Sequence, residues 1–156
     1  MNGPQGISQP RFRNIGKPFS SKVLFSGVVM AQQDNERFSS VPDVDIEECE
    51  GRYKYILIKV YDANVTDADV YKYIVRGFRA AGFHADIYDN VLPVVEKNGL
   101  ECECVGGGRI DHSPKNKTLK AYGYSQGFGR ADHSITSDLL KKKYPDYSIT
   151  WSNEGY

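Results

Sequence analysis

The chain has three histidines, and one of them, His84, follows Gly82-Phe83 where an apolar-periodic segment begins. A histidine at a helix start meets backbone N–H groups that lack partners in the first turn, and it sits at the positive end of the helix dipole. That end attracts anions, phosphate above all. The same field disfavours the imidazolium, so the ring tends to stay neutral and able to take a proton. A ring that only caps or packs would look the same in sequence, so other residues must decide. Lys54 stands at the beginning of a strand, in line with Ile56, Ile58 and Val60. It either snorkels from the sheet's edge or delivers a cation to a pocket at the strand's end. Arg109 follows Gly106-Gly107-Gly108, where its forked donor set suits an anion as well as a surface ion pair. Ser125-Gln126-Gly127-Phe128-Gly129 comes directly after a strand. Such a loop can turn several N–H groups onto one phosphate, although the GxxxxGK[ST] pattern of a P-loop is absent. His112 and His133 read as loop or surface histidines and are assigned no chemistry.

Other chemistries find less support. Cys102 and Cys104 lie two apart on one strand face, but no second pair completes a metal site, and buried thiols behave as small hydrophobes. No C-x₅-R signature surrounds any of the three cysteines. No Asp/Glu/His cluster suggests a Mg²⁺ site, so neither metal nor cofactor is expected. Twenty basic and twenty acidic side chains give zero formal net charge, so no global field calls for nucleic acid or a membrane. No apolar run approaches the roughly 20 residues of a membrane span. An odd cysteine count without a framework suits a reducing compartment, and the expected location is the cytoplasm.

These residues must be positioned by a scaffold that the patterning outlines. Val41–Ile46 alternates as a short edge strand. Arg52–Tyr61 is the strongest strand, apolar on both faces and therefore central. Thr66-Asp67-Ala68-Asp69 resembles a capping box. With Val70, Ile74, Val75, Phe78 and Ala81 at helical spacing, it predicts a helix over 67–81 that ends at Gly82 and leaves Arg76 and Arg79 solvated. A second helix should open at His84 and end at Asn98-Gly99, kinked or split at Pro93. Leu100–Val105 reads as a strand, and the glycine run after it as a bulge or a close backbone approach. A hairpin turn at Ser113–Lys117 precedes a strand over Thr118–Tyr124. A helix capped by Thr136 and stopped by Pro145, a last strand over Tyr147–Trp151 and a tail, Ser152–Tyr156, complete the domain.

Residues 1–40 are rich in Gly, Ser, Pro, Gln and Asn and lack sustained periodicity outside Val23–Met30. They read as a disordered extension outside the fold. They are basic up to Asp34, so a mitochondrial targeting role for residues 1–30 stays open; Pro4, Pro10 and Pro18 oppose an amphipathic helix.

Residues 41–156 resemble the protein phosphohistidine phosphatases of the Janus/Ocnus group. The resemblance is carried by Pro42-Asp43-Val44-Asp45-Ile46, Tyr53–Val60, Ile74-Val75-Arg76-Gly77, His84-Ala85-Asp86-Ile87-Tyr88-Asp89, Cys102–Ile110, Tyr122-Gly123-Tyr124-Ser125 and Lys143-Tyr144-Pro145-Asp146-Tyr147. These cover nearly the whole domain, in order. The resemblance implies an α/β (α+β) single domain with a mixed β-sheet sandwiched between helices. It also implies a monomer that hydrolyses phosphohistidine in proteins without a metal. It places the catalytic histidine at His84 and the substrate-binding lysine at Lys54. Phosphate binding falls to Ser125, Gln126, Gly127 and the amide of Ala85, with Arg109 in support. Neutral His84 would act as general base or nucleophile. Phe83 departs from the Tyr frequent in relatives, and the middle of the phosphate loop departs as well. A phosphate- or phosphoprotein-binding module without turnover would present the same groups.

Overall fold

A computed structural model describes residues 22–25 and 28–156, with side chains from Asn35 onward. Its centre is a six-stranded mixed sheet. The strands are β3 (Val44–Ile46), β4 (Gly51–Tyr61), β5 (Tyr71–Phe78), β6 (Glu101–Ser113), β7 (Thr118–Tyr122) and β8 (Ser148–Trp151), in the order β3-β5-β4-β6-β7-β8. The two outer pairs, β3 with β5 and β7 with β8, are parallel; the inner pairs are antiparallel. Two short strands precede it, β1 (Lys22–Phe25) and β2 (Val28–Ala31), paired antiparallel.

Helices cover both faces. On one, α1 (Gln32–Ser39) and α2 (His84–Lys97) bury Phe38, Ile87, Val91 and Val95 against Ile56, Ile58, Val60 and Ile74. On the other, α3 (His133–Lys143) buries Leu140 against Tyr53, Tyr55, Leu57, Val75 and Ile110. Strand β4 therefore alternates between two cores, as its two apolar faces require. Ile87, Val91 and Val95 recur every fourth residue and form one buried stripe. Burying each contributes roughly 1.5–3 kcal/mol, which fixes the helix on the sheet and His84 with it.

The segment expected as a helix over 67–81 is strand β5. Asp67 accepts from the amide of Asp69 at 2.9 Å, an Asx turn rather than a helix cap. Beyond it Tyr71-Lys72-Tyr73-Ile74-Val75 has the β-branched and aromatic composition of a strand. Arg76 is buried, not solvated; its guanidinium donates to the carbonyls of Val75 and Pro42, both at 2.8 Å. Gly82 is a bend without left-handed φ, while Gly99, with φ +74°, turns the chain out of α2. Pro93 does not split α2, which runs unbroken from His84 to Lys97; Pro93 and Asp89 both lie exposed, so the carbonyl that loses its donor faces water. Strand β6 continues through its glycines, with a bulge opposite Leu57/Ile58. Helix α3 is capped by Asp132, whose side chain accepts from Ser134 N, and Thr136 lies buried within it.

The core also extends before Val41. Phe38 is fully buried, and Arg37 pairs with buried Asp62 and donates to Gly99 O at 3.2 Å. The disorder and targeting expectations for residues 1–21 and 26–27 lie outside the described residues.

Candidate active site

The first turn of α2 has an unusual N-cap. Phe83 is extended, with φ −132°, and contributes no side-chain cap. Asp86, three positions on, accepts from Phe83 N at 2.8 Å, and Asp86 N donates to Phe83 O at 3.1 Å. The amides of His84 and Ala85 have no acceptor among the described residues. They leave two donors at the positive end of the helix.

The His84 ring is buried, and its Nε2 lies 2.9 Å from Gly108 O. A carbonyl only accepts, so Nε2 carries the proton and Nδ1 carries the lone pair. Among the described residues Nδ1 has no hydrogen-bond partner, and it is not a fully buried atom; it opens on a cleft of about 640 Å³. Burial holds His84 below the ordinary imidazole value. The Gly108 carbonyl opposes this, and the charges of Lys54 and Arg109 push further down. At neutral pH the ring is a neutral base.

Glycines make this placement possible. A Cβ at Gly107 would lie 2.7 Å from His84 Cδ2 and 3.0 Å from Ser125 Cβ. One at Gly108 would meet Tyr122 O at 2.4 Å and His133 Cε1 at 2.7 Å. The run expected to mark a bulge or close approach does both: it is the floor on which the His84 ring, the loop and α3 rest.

The cleft is lined by Lys54, Gly82, Phe83, His84, Ala85, Ser125, Gln126, Gly127, Phe128 and Tyr156. Six of the seven site residues expected from sequence thus meet in one place. The seventh, Arg109, pairs in register with Lys54 on the adjacent strand, so both side chains leave the same face. Among the described residues neither cation has a carboxylate within ion-pair distance. The loop is closed by Ser125 and Gly129, which exchange backbone hydrogen bonds of 3.0 and 2.8 Å, and Gly129 O also accepts from Gly107 N at 2.9 Å. Ser125 Oγ accepts from Phe128 N at 3.1 Å. Ser125 therefore shapes the loop, while the amides of Gln126 and Gly127 have no acceptor among the described residues.

The arrangement has the chemistry to hold a small anion, with a neutral base at its floor. The chain matches the Janus/Ocnus family over residues 38–148. The chain belongs to that family. It is 49% identical to the 14 kDa phosphohistidine phosphatase of Sus scrofa over 120 residues, covering 76% of this chain and 94% of the relative. The Homo sapiens protein of the same name is 48% identical over 118 residues, covering 74% and 94%. The sex-regulated protein janus-A of Drosophila melanogaster is 48% identical over 136 residues, covering 86% and 97%. The family match begins at Phe38, the residue at which the buried core begins.

The other two histidines are neither loop nor surface groups. His133 is buried, with Nε2 donating to Gly123 O at 2.8 Å and Nδ1 bonded to the Tyr55 hydroxyl. His112 is buried against Tyr53, Tyr144 and Tyr147. Neither lines the cleft. Sequence reasoning missed Phe83, Phe128 and Tyr156 as cleft walls. Nothing in the polar tail around Tyr156 signalled its return to the site.

Proposed function

We propose that the protein is a phosphohistidine phosphatase that hydrolyses the P–N bond of phosphohistidine in other proteins. The observation that carries this reading is His84 Nδ1, a neutral nitrogen open to a cleft lined by Lys54, with Arg109 in register beside that lysine and two sets of amides without acceptors among the described residues. Phosphoryl transfer asks chiefly for positioning and charge stabilisation. In this reading the amides of Ala85, Gln126 and Gly127 hold phosphoryl oxygens, and Lys54 and Arg109 offset the charge that grows on them. A water attacks phosphorus, its proton passes to Nδ1, the P–N bond breaks, and the substrate imidazole leaves as the proton is returned. The same nitrogen is also placed to accept the phosphoryl group itself, with water attacking in a second step.

The reaction runs without a metal, because the cations and amides already supply the charge stabilisation. Metal-free turnover of a histidine-phosphorylated protein in excess EDTA tests the reading. Phosphate release at an undiminished rate is expected. Binding without release would make the protein a phosphoprotein-binding module, and activity restored only by Mg²⁺ or Mn²⁺ would refute metal independence. We place the protein in the cytoplasm as a monomer, in keeping with its free thiols; a full-length tagged chain found mainly in mitochondria would overturn this.

A further inference from the structure

Resting on that reading of the cleft, we infer that Tyr156 is a positioning residue of the phosphoryl site, holding the Arg109 guanidinium by stacking. The Arg109 Cζ lies 4.5 Å from the centre of the Tyr156 ring. The ring is backed by Tyr124, with centroids 4.7 Å apart, and it lines the cleft that contains His84. The three groups sit together at the cleft's wall, the two rings inclined to each other by 48°.

The tail is brought there by specific contacts. Ser152 N donates to Ala121 O at 3.0 Å, extending the edge of the sheet, and Glu154 N donates to Ser152 Oγ at 3.0 Å. Gly155, with φ +84°, then reverses the chain, a conformation that glycine adopts without steric cost. Tyr156 comes to rest over Gly123, where a Cβ would lie 3.6 Å from Tyr156 Cα.

A stacked ring suits Arg109 for a chemical reason. A carboxylate partner would fix the guanidinium but neutralise it and occupy its forked donors. An aromatic face fixes the plane, keeps the charge and leaves the in-plane N–H groups free for an anion. Arg109 has no ion pair among the described residues, and its buried Nε lacks a partner. It stands in register beside Lys54, which lines the cleft.

The test is inorganic phosphate binding by calorimetry on the full chain, together with kcat and KM on a histidine-phosphorylated protein. Variants are Tyr156→Ala, Tyr156→Phe, Arg109→Ala and the Tyr156→Ala/Arg109→Ala pair. Tyr156→Ala should weaken phosphate about two- to fivefold, the range of an exposed cation–π contact, and raise KM more than it lowers kcat, with an unchanged melting temperature. Tyr156→Phe, which keeps the ring, should bind as the parent does. In the Arg109→Ala background, Tyr156→Ala should add nothing, since the two act through one contact. Unchanged or tighter phosphate binding by Tyr156→Ala, full additivity with Arg109→Ala, or no effect of Arg109→Ala would each overturn the inference. Coupled phosphate binding without turnover would leave it standing and refute the phosphatase reading alone.

Discussion

Gly107→Ala separates the geometry of the site from the stability of the fold. The new Cβ would lie 2.7 Å from His84 Cδ2, 2.9 Å from Tyr55 O and 3.0 Å from Ser125 Cβ. Tyr55 O belongs to the central strand and cannot retreat without breaking the β4–β6 pairing. The His84 ring can, and reaching the 3.4 Å of an ordinary contact means backing off by about 0.7 Å. That lengthens its bond to Gly108 O and tilts Nδ1 away from the cleft. Overpacking of this kind costs about 1–3 kcal/mol, a loss of several degrees in melting temperature for a domain of this size. Displacing a reacting group by about 1 Å costs on the order of 10²-fold in rate. The variant should therefore fold, melt earlier and lose on the order of 10²-fold in kcat/KM. Gly82→Ala, whose Cβ meets only Asp86 Oδ2 at 3.6 Å, should melt within about 0.5 kcal/mol of the parent. Thermal denaturation and steady-state assays of both variants decide it. Parental kcat/KM in Gly107→Ala would mean that the glycine floor does not set the position of His84.

Lys54→Ala should weaken phosphate inhibition and substrate affinity together by roughly tenfold or more, the scale of a charge-assisted contact; unaltered affinities would make Lys54 a snorkelling side chain. The ¹⁵N-resolved titration of His84 should fall below the ordinary value near 6.5. It should rise in Lys54→Ala, because a cation that disfavours the imidazolium is gone; a fall would refute that electrostatic account. Between the folded and unfolded values of His84 and His133, both lowered in the fold, the unfolded chain binds more protons. Stability therefore drops as pH falls below about 6.5; urea midpoints flat through that window would contradict it. Phe38→Ala should cost about 3–5 kcal/mol, and a chain beginning at Val41 should be destabilised likewise; melting like the full-length protein would show that the core does not need residues before Val41.

The placement of the candidate site residues was legible where local sequence dictates local geometry. His84 opens a helix because Ile87, Val91 and Val95 commit the stripe to one face, and Lys54 and Arg109 converge because their strands pair in register. Helix α2 and strands β4, β7 and β8 follow the same logic. Strand β5 was not legible by periodicity. Ile74 and Val75 are adjacent yet both buried, because each faces a different core. A strand covered on both faces loses the alternation that distinguishes it from a helix. Arg76 misleads for the same reason, since its partners are backbone carbonyls contributed partly by the loop before β3. Phe38 lay in a stretch that is polar up to Val41, and its burial depends on α2 and β4, far along the chain. The grouping of Arg109, Tyr156 and Tyr124 is wholly tertiary.

The most direct test of the central claim compares His84→Ala with the parent for phosphate release from a histidine-phosphorylated protein, alongside calorimetric binding of inorganic phosphate. With His84 as the reacting base or acceptor, the variant should fold, retain phosphate binding through Lys54 and the loop amides, and release no phosphate above the uncatalysed rate. His133→Gln, altered in the buried ring bonded to Tyr55 and Gly123, should lose stability rather than turnover per folded molecule. Near-parental turnover by His84→Ala, or its abolition in folded His133→Gln instead, would contradict the account at its centre.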